Sequence, residues 1–192
     1  MKNNLQTVSS LLNLQANNSG NEQLKDLVKG SQNRVLSMAM IHEMLYLRHN
    51  LSKIEFKPYV QELTEYLVKS VKGRNKNATI NIDIPDIELG IDTAIPLGLL
   101  INEAVSNSLK YAFVEHENGQ IGITLRKDSA QNTYNLHISD NGIGFSEKLD
   151  FRTTKSLGIK LIHKLARQLK GSVKRLHTEK GTNYSITFQD IG

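Results

Sequence analysis

In the stretch LGLLINEAVSNSLKYAF, from Leu97 to Phe113, a carboxylate, an amide and an ammonium recur at i, i+4 and i+7 as Glu103, Asn107 and Lys110. On a helix this spacing sets a proton acceptor, a neutral polar group and a cation in one narrow stripe. A broad apolar arc of Leu100, Ile101, Ala104, Val105, Leu109, Ala112 and Phe113 lies opposite. By itself the stripe suits a solvated outer face as well as a site. Three further features share its ambiguity. Asp140 follows Tyr134, Leu136 and Ile138 in strand phase, so its carboxylate points inward and needs either a structural donor or a ligand donor. Directly after it, Asn141-Gly142-Ile143-Gly144-Phe145 places two glycines where backbone can turn tightly or approach a ligand. Farther on, Ser156 and Gly158 open a helical segment behind the basic residues Lys148, Arg152 and Lys155, and a glycine-bearing helix start suits an anion.

The elements that hold these residues follow from periodicity. Residues 4 to 16 and 22 to 50 are both helical in pattern, separated by ANNSGN, with Asn21 as cap of the second helix. This makes a helical hairpin. The second helix carries two apolar stripes, one through Leu24, Val28, Val35, Met38 and Leu45, the other through Leu36, Met40, Met44 and Leu47. One partner helix cannot cover both, so a two-fold, four-helix dimer is expected. Residues 51 to 57 read as a connector, and a helix with Pro58 in its first turn runs to about Val71. Ile80, Ile82 and Ile84 then alternate as a strand ended by Pro85, and Ile87 to Leu89 is extended. Asp92 or Thr93 caps the helix that contains the stripe, with Pro96 in its first turn. Ile121, Ile123 and Leu125 set a second strand, Tyr134 to Asp140 a third. Leu157 to Leu169 is helical and stopped by Gly171; Ser172 to Leu176 and Asn183 to Phe188 form a closing hairpin. Thr182 shares the inward phase of Tyr184, Ile186 and Phe188.

Composition bounds the function. The chain has 192 residues, 39% of them hydrophobic, enough for one domain and a smaller helical piece. Cysteine is absent, which rules out disulfides, thiolate metal sites and a cysteine nucleophile, and fits the cytoplasm. No apolar run approaches the roughly 20 residues needed to span a bilayer, and the N-terminus lacks the apolar core of a signal peptide, so no membrane contact is expected. The formal charge of +5 permits an acidic partner, yet the basic residues are scattered and only 6% of residues are aromatic, which argues against nucleic acid. None of the six histidines forms a zinc-type spacing with carboxylates.

Taken in order, NEAVSNSLKYAF, DNGIGF, SLGIKL and GTNYSITF resemble the N, G1 and G2 boxes of the ATP-binding fold shared by sensor histidine kinases, gyrase-type ATPases and anti-sigma-factor kinases. The resemblance covers about residues 58 to 190. KNNLQTVSSLLNLQ and SMAMIHEMLY resemble the dimerisation and phosphoacceptor region of the histidine kinase subgroup whose acceptor box reads H-R-V-K-N-N-L-Q. Met1 stands where that box has its Val, so the family's acceptor histidine is expected upstream, and this chain is expected not to label itself. His42, in IHEMLY, is read as a packing residue.

The implied fold is α+β: a helical hairpin over residues 1–52 forming a dimeric four-helix bundle, then an α/β two-layer sandwich ATPase domain over residues 53–192. The resemblance implies that Asn107 holds Mg²⁺ and that Glu103 is a general base. It places Lys110 on a phosphate, Tyr111 beside the adenine, and Asp140, with Thr182, on the adenine amino group. Gly142 and Gly144 would let the strand turn pass close to the base. Residues 146 to 157 would be a lid, with Lys155 and the amides near Ser156, Leu157 and Gly158 at the phosphates. Lys148 and Arg152 suit either the lid or solvent. The implied activity is transfer of the ATP γ-phosphoryl group to a histidine, then to an aspartate of a response-regulator receiver domain. The alternatives are a serine kinase of the anti-sigma type and a nucleotide-gated dimerisation module.

Overall fold

The computed structural model describes residues 21–47, 53–70, 78–113, 118–144, 157–176, 178 and 180–192, with single helical positions at Thr7, Ser10, Leu11 and Leu14. The remainder of the first hairpin helix and its turn lie outside the described residues. Helix α1 (Glu22–Leu47) begins as the sequence predicts, the Asn21 side-chain oxygen accepting from the Leu24 amide at 3.2 Å. Its two stripes part company. Leu36, Met40 and Met44 pack onto the core of the same chain together with Ile41, whereas Leu24 and Leu27 stay exposed. Among the described side chains the second stripe is therefore covered from within the chain, while of the first Leu24 is exposed and Val28, Val35 and Met38 are half-buried.

The expected connector contains a strand, β1 (Lys53–Glu55), too short to show a period; it pairs antiparallel with β3 (Glu88–Gly90). Helix α2 (Phe56–Ser70) buries Phe56, Tyr59, Val60, Leu63 and Leu67 at helical spacing. Strand β2 (Thr79–Asp83) lies parallel to β4 (Gln120–Asp128), and the intervening chain crosses over through helix α3 (Ile91–Asn107). β4 pairs antiparallel with β5 (Thr133–Asp140), and the closing hairpin of β6 (Ser172–Leu176) and β7 (Asn183–Phe188) completes the order β2-β4-β5-β7-β6.

One face of this sheet is apolar and buried: Ile121, Ile123 and Leu125 on β4, Tyr134, Leu136 and Ile138 on β5, Tyr184, Ile186 and Phe188 on β7. Cross-strand partners Tyr134 and Phe188 stack with ring centroids 5.3 Å apart. α2, α3 and helix α4 (Leu157–Gln168) cover that face, α4 through Ile159, Ile162, Leu165, Ala166 and the following Leu169. The opposite face carries Thr124, Asn135, His137, Ser139, Ser185 and Thr187, all half-buried. The result is the expected two-layer α/β sandwich.

Two local expectations are corrected. α3 starts at Ile91, ahead of the expected caps, with Gly90 as N-cap and no side-chain cap bond; Pro96 consequently lies inside the helix. Thr93 is instead tied to the chain's end, its hydroxyl donating to Asp190 at 2.6 Å and accepting from the Ile191 amide at 2.8 Å. The stripe-bearing helix is not one α-helix: after Asn107 it widens into a π turn over Ser108–Ala112. α4 stops ahead of Gly171 as expected, with Lys170 left-handed at φ 52° and the Gly171 amide donating to the Ala166 carbonyl at 2.9 Å; a Cβ at Gly171 would sit 1.9 Å from the Thr187 carbonyl oxygen.

Candidate functional site

Strand alternation delivers Asp140 to the inner face at the end of β5, where it is 8% exposed. Three donors meet its carboxylate. The Ser108 hydroxyl, on the π turn, donates to Oδ2 at 2.7 Å; the Gly142 and Thr182 amides donate to Oδ1 at 3.0 and 3.1 Å. The Asp140 amide in turn donates to the Thr182 carbonyl at 2.9 Å. A carboxylate oxygen has about two acceptor directions, so Oδ1 is saturated and Oδ2 keeps one open. The expected inward donors are thus structural, and one position is left over.

The glycines beside Asp140 are required by contact. A Cβ at Gly142 would lie 2.2 Å from the Ala112 carbonyl oxygen, the same oxygen that accepts from the Ile143 amide at 2.8 Å. Gly144 has φ +69°. Gly181, which the sequence analysis includes in GTNYSITF without giving it a role, has φ +75° and space for no Cβ, the Asp140 carbonyl oxygen being 1.8 Å from that point. Its signal was the hairpin turn immediately before the inward Thr182, itself buried. Nearby, burial pushes the Tyr184 hydroxyl up to about 12, Arg175 lowering it and Asp140 raising it further.

The other end of the site gathers around Glu103, one turn before Asn107 on α3. Glu103 is 7% exposed, so its stripe is no solvated face. Its partner is Arg34 of α1, a residue the sequence analysis did not single out: Nε donates to Oε1 at 2.7 Å and a terminal nitrogen to Oε2 at 2.9 Å. That bond holds the Arg34 guanidinium even further above its ordinary range, against the opposing effect of burial. The first turn of α4 reaches the same place. A Cβ at Gly158 would lie 2.8 Å from Glu103 Oε2 and 3.5 and 3.9 Å from Asn107 Nδ2 and Oδ1.

Asn107, at the end of α3, and Lys110, on the π turn, are half-buried, and Tyr111 is 66% exposed. Leu157 opens α4; Lys155 and Ser156, with Lys148 and Arg152, lie outside the described residues. Glu103, Asn107 and Gly158 therefore converge, as do Asp140, Gly142 and Thr182, with the π turn between the two groups. His42 and His137 are half-buried, and His137 stands on the sheet face opposite Asp140. Among the described residues no three His, Cys, Asp or Glu side chains are grouped to hold a metal. A divalent cation at the Asn107 amide oxygen would draw its other ligands from phosphate and water, as Mg²⁺ commonly does.

Residues 92–191 match the family of histidine kinase-, DNA gyrase B- and HSP90-like ATPases, and residues 1–71 match a histidine kinase family. The chain belongs to the histidine kinases. It is 27% identical over 186 residues to the sensor histidine kinase PdtaS of Mycobacterium tuberculosis, covering 95% of this chain and 36% of that protein. To blue-light-activated histidine kinase 2 of Erythrobacter litoralis it is 23% identical over 124 residues, 65% of this chain and 34% of the relative. This histidine kinase chain thus spans about a third of the length of the curated relatives it matches. In fold it is similar to the histidine kinase domain of the Erythrobacter litoralis blue-light-activated histidine kinase, with a TM-score of 0.74 at 17% identity and 96% of each chain covered. Among the described residues no helix is long and apolar enough to cross a membrane.

Proposed function

We propose that this chain is the dimerising and catalytic core of a sensor kinase, binding Mg·ATP and passing the γ-phosphoryl group to a histidine and then to a response-regulator aspartate. The observation that carries the reading is the Asp140 carboxylate, buried, held by three donors and left with one acceptor direction. An adenine amino group would complete it. Guanine presents a carbonyl at the corresponding position, and two facing acceptors cost about 1–3 kcal/mol. Thr182, Gly142 and Gly144 would flank the base and Tyr111 would close over it.

At the other end, Asn107 would ligate Mg²⁺, which neutralises charge on the phosphates when bound. Lys110, Lys155 and the amides of Ser156, Leu157 and Gly158 would take the phosphate oxygens. In the transfer, an imidazole nitrogen attacks the γ-phosphorus, the bond to the β–γ bridging oxygen breaks, ADP leaves, and Glu103 accepts the imidazole proton. Positioning and charge neutralisation would supply most of the rate. The division at residues 52 and 53, and self-association through the leucines that α1 leaves exposed, belong to the same proposal. The match of residues 1–71 to a histidine kinase family favours a histidine acceptor over a serine one.

Calorimetric titration with ATP and ADP, with and without Mg²⁺, tests this. ATP should bind with Mg²⁺ dependence, and Asp140→Asn should weaken it by about 30-fold or more, equivalent to about 2 kcal/mol. A folded protein with no nucleotide affinity would refute the proposal.

A further inference from the structure

Arg34 reaches Glu103 across 69 positions of chain and takes both of its carboxylate oxygens, at 2.7 and 2.9 Å. Such a fork takes one acceptor direction on each oxygen and sets a fixed positive charge against the carboxylate. While the pair persists, an imidazole must compete with the guanidinium for the Glu103 carboxylate. Each of the two helices also buries an under-bonded amide next in sequence to the pair. Asn33 Oδ1, the neighbour of Arg34 on α1, and Asn102 Nδ2, the neighbour of Glu103 on α3, are both buried without a hydrogen-bond partner. One to two turns farther along α1, Met40 and Ile41 pack on apolar surface. The helix is thus held by apolar contact through Leu36, Met40, Ile41 and Met44 and by hydrogen bonds with α2 at Lys29 and Ser37, and the Arg34 fork is its charged tie to α3. Water would satisfy those two amide atoms if the helices moved apart far enough to expose them.

We propose that Arg34 is a positioning residue that holds Glu103 in an unproductive, paired state, and that phosphoryl transfer proceeds only when α1 withdraws the guanidinium. This rests on the reading of Glu103 as the base. Nothing is consumed by the switch: the fork leaves Glu103, the freed carboxylate accepts the imidazole proton, and the phosphoryl group moves as described above.

The test supplies the chain with a separate polypeptide carrying the H-R-V-K-N-N-L-Q acceptor box, follows transfer from γ-labelled ATP, and reads ATP affinity in parallel by calorimetry. Arg34→Gln should raise the transfer rate at saturating ATP by about fivefold or more, the scale of a modest coupling between sites, with ATP affinity unchanged. Adding Glu103→Gln should abolish the gain. Arg34→Lys keeps a cation beside the buried carboxylate but loses the fork; it should give a smaller gain, and it serves if the Gln variant fails to fold. A rate equal to or below that of the unsubstituted chain in a folded, ATP-binding Arg34 variant would overturn the inference, as would a gain that survives Glu103→Gln. Absence of ATP binding by the unsubstituted chain would remove the proposed function itself, and the separate binding measurement distinguishes that failure.

Discussion

The two ends of the candidate site are built by different means. Around Asp140 the parts come from neighbouring strands, the turn that leaves β5 and the π turn above it, and their backbones interlock: Asp140 with Thr182, Ile143 with Ala112. Around Glu103 three helices each contribute one or two side chains or a glycine, and among the described residues no backbone hydrogen bond joins them. Sheet register fixes the first end before any ligand arrives. The second depends on how helices are set against one another, a relation that can shift without breaking secondary structure. In the proposed function, recognition would fall to the rigid end and proton and phosphoryl chemistry to the adjustable one.

The same substitution at each end tests that contrast. Gly181→Ala must place a Cβ 1.8 Å from the Asp140 carbonyl oxygen at a φ of +75°. Nothing there can yield, and a loss of about 3 kcal/mol or more is expected in urea denaturation, with nucleotide binding lost as well. At Gly158 the nearest obstacle is the far end of the Glu103 side chain, at 2.8 Å. Gly158→Ala should stay within about 1 kcal/mol of neutral, the gain in helix propensity offsetting the contact, while Glu103 moves. Equal losses at the two positions would break the comparison.

A smaller effect concerns α4, which delivers Gly158. Burial, and secondarily the charge of Arg167, lower the pKa of His163. Its folded value lies below its unfolded one, so the native state binds fewer protons. Its contribution to stability is complete above the ordinary histidine value and is lost as pH falls through the lowered one. Melting temperature should therefore fall between neutral pH and about pH 5, and fall less in His163→Gln.

Much of the rigid end was legible in the sequence, because a period of two states which side chains face inward without reference to any other element. Asp140 and Thr182 followed from the strands that carry them. Arg34 was not legible: on α1 it reads as one more charged residue, and helical periodicity says nothing about a partner 69 positions away. β1 was too short for a period, and the wheel that aligned Lys110 with Glu103 assumed α geometry through a segment that is a π turn. Gly181 stood within GTNYSITF but without a role, because a hairpin glycine carries no mark of what its missing Cβ avoids.

The π turn has a consequence for insertions and deletions. It accommodates one more residue per turn than an α-helix, and within it Ser108 meets Asp140 while the Ala112 carbonyl meets Ile143. Removing any one residue from Ser108–Ala112 would let the segment relax into regular helix, with its hydropathy and helicity intact. Everything downstream would then turn by about 100° relative to α3, and both hydrogen bonds would lose their alignment. At this point the fold counts residues more strictly than it chooses among them.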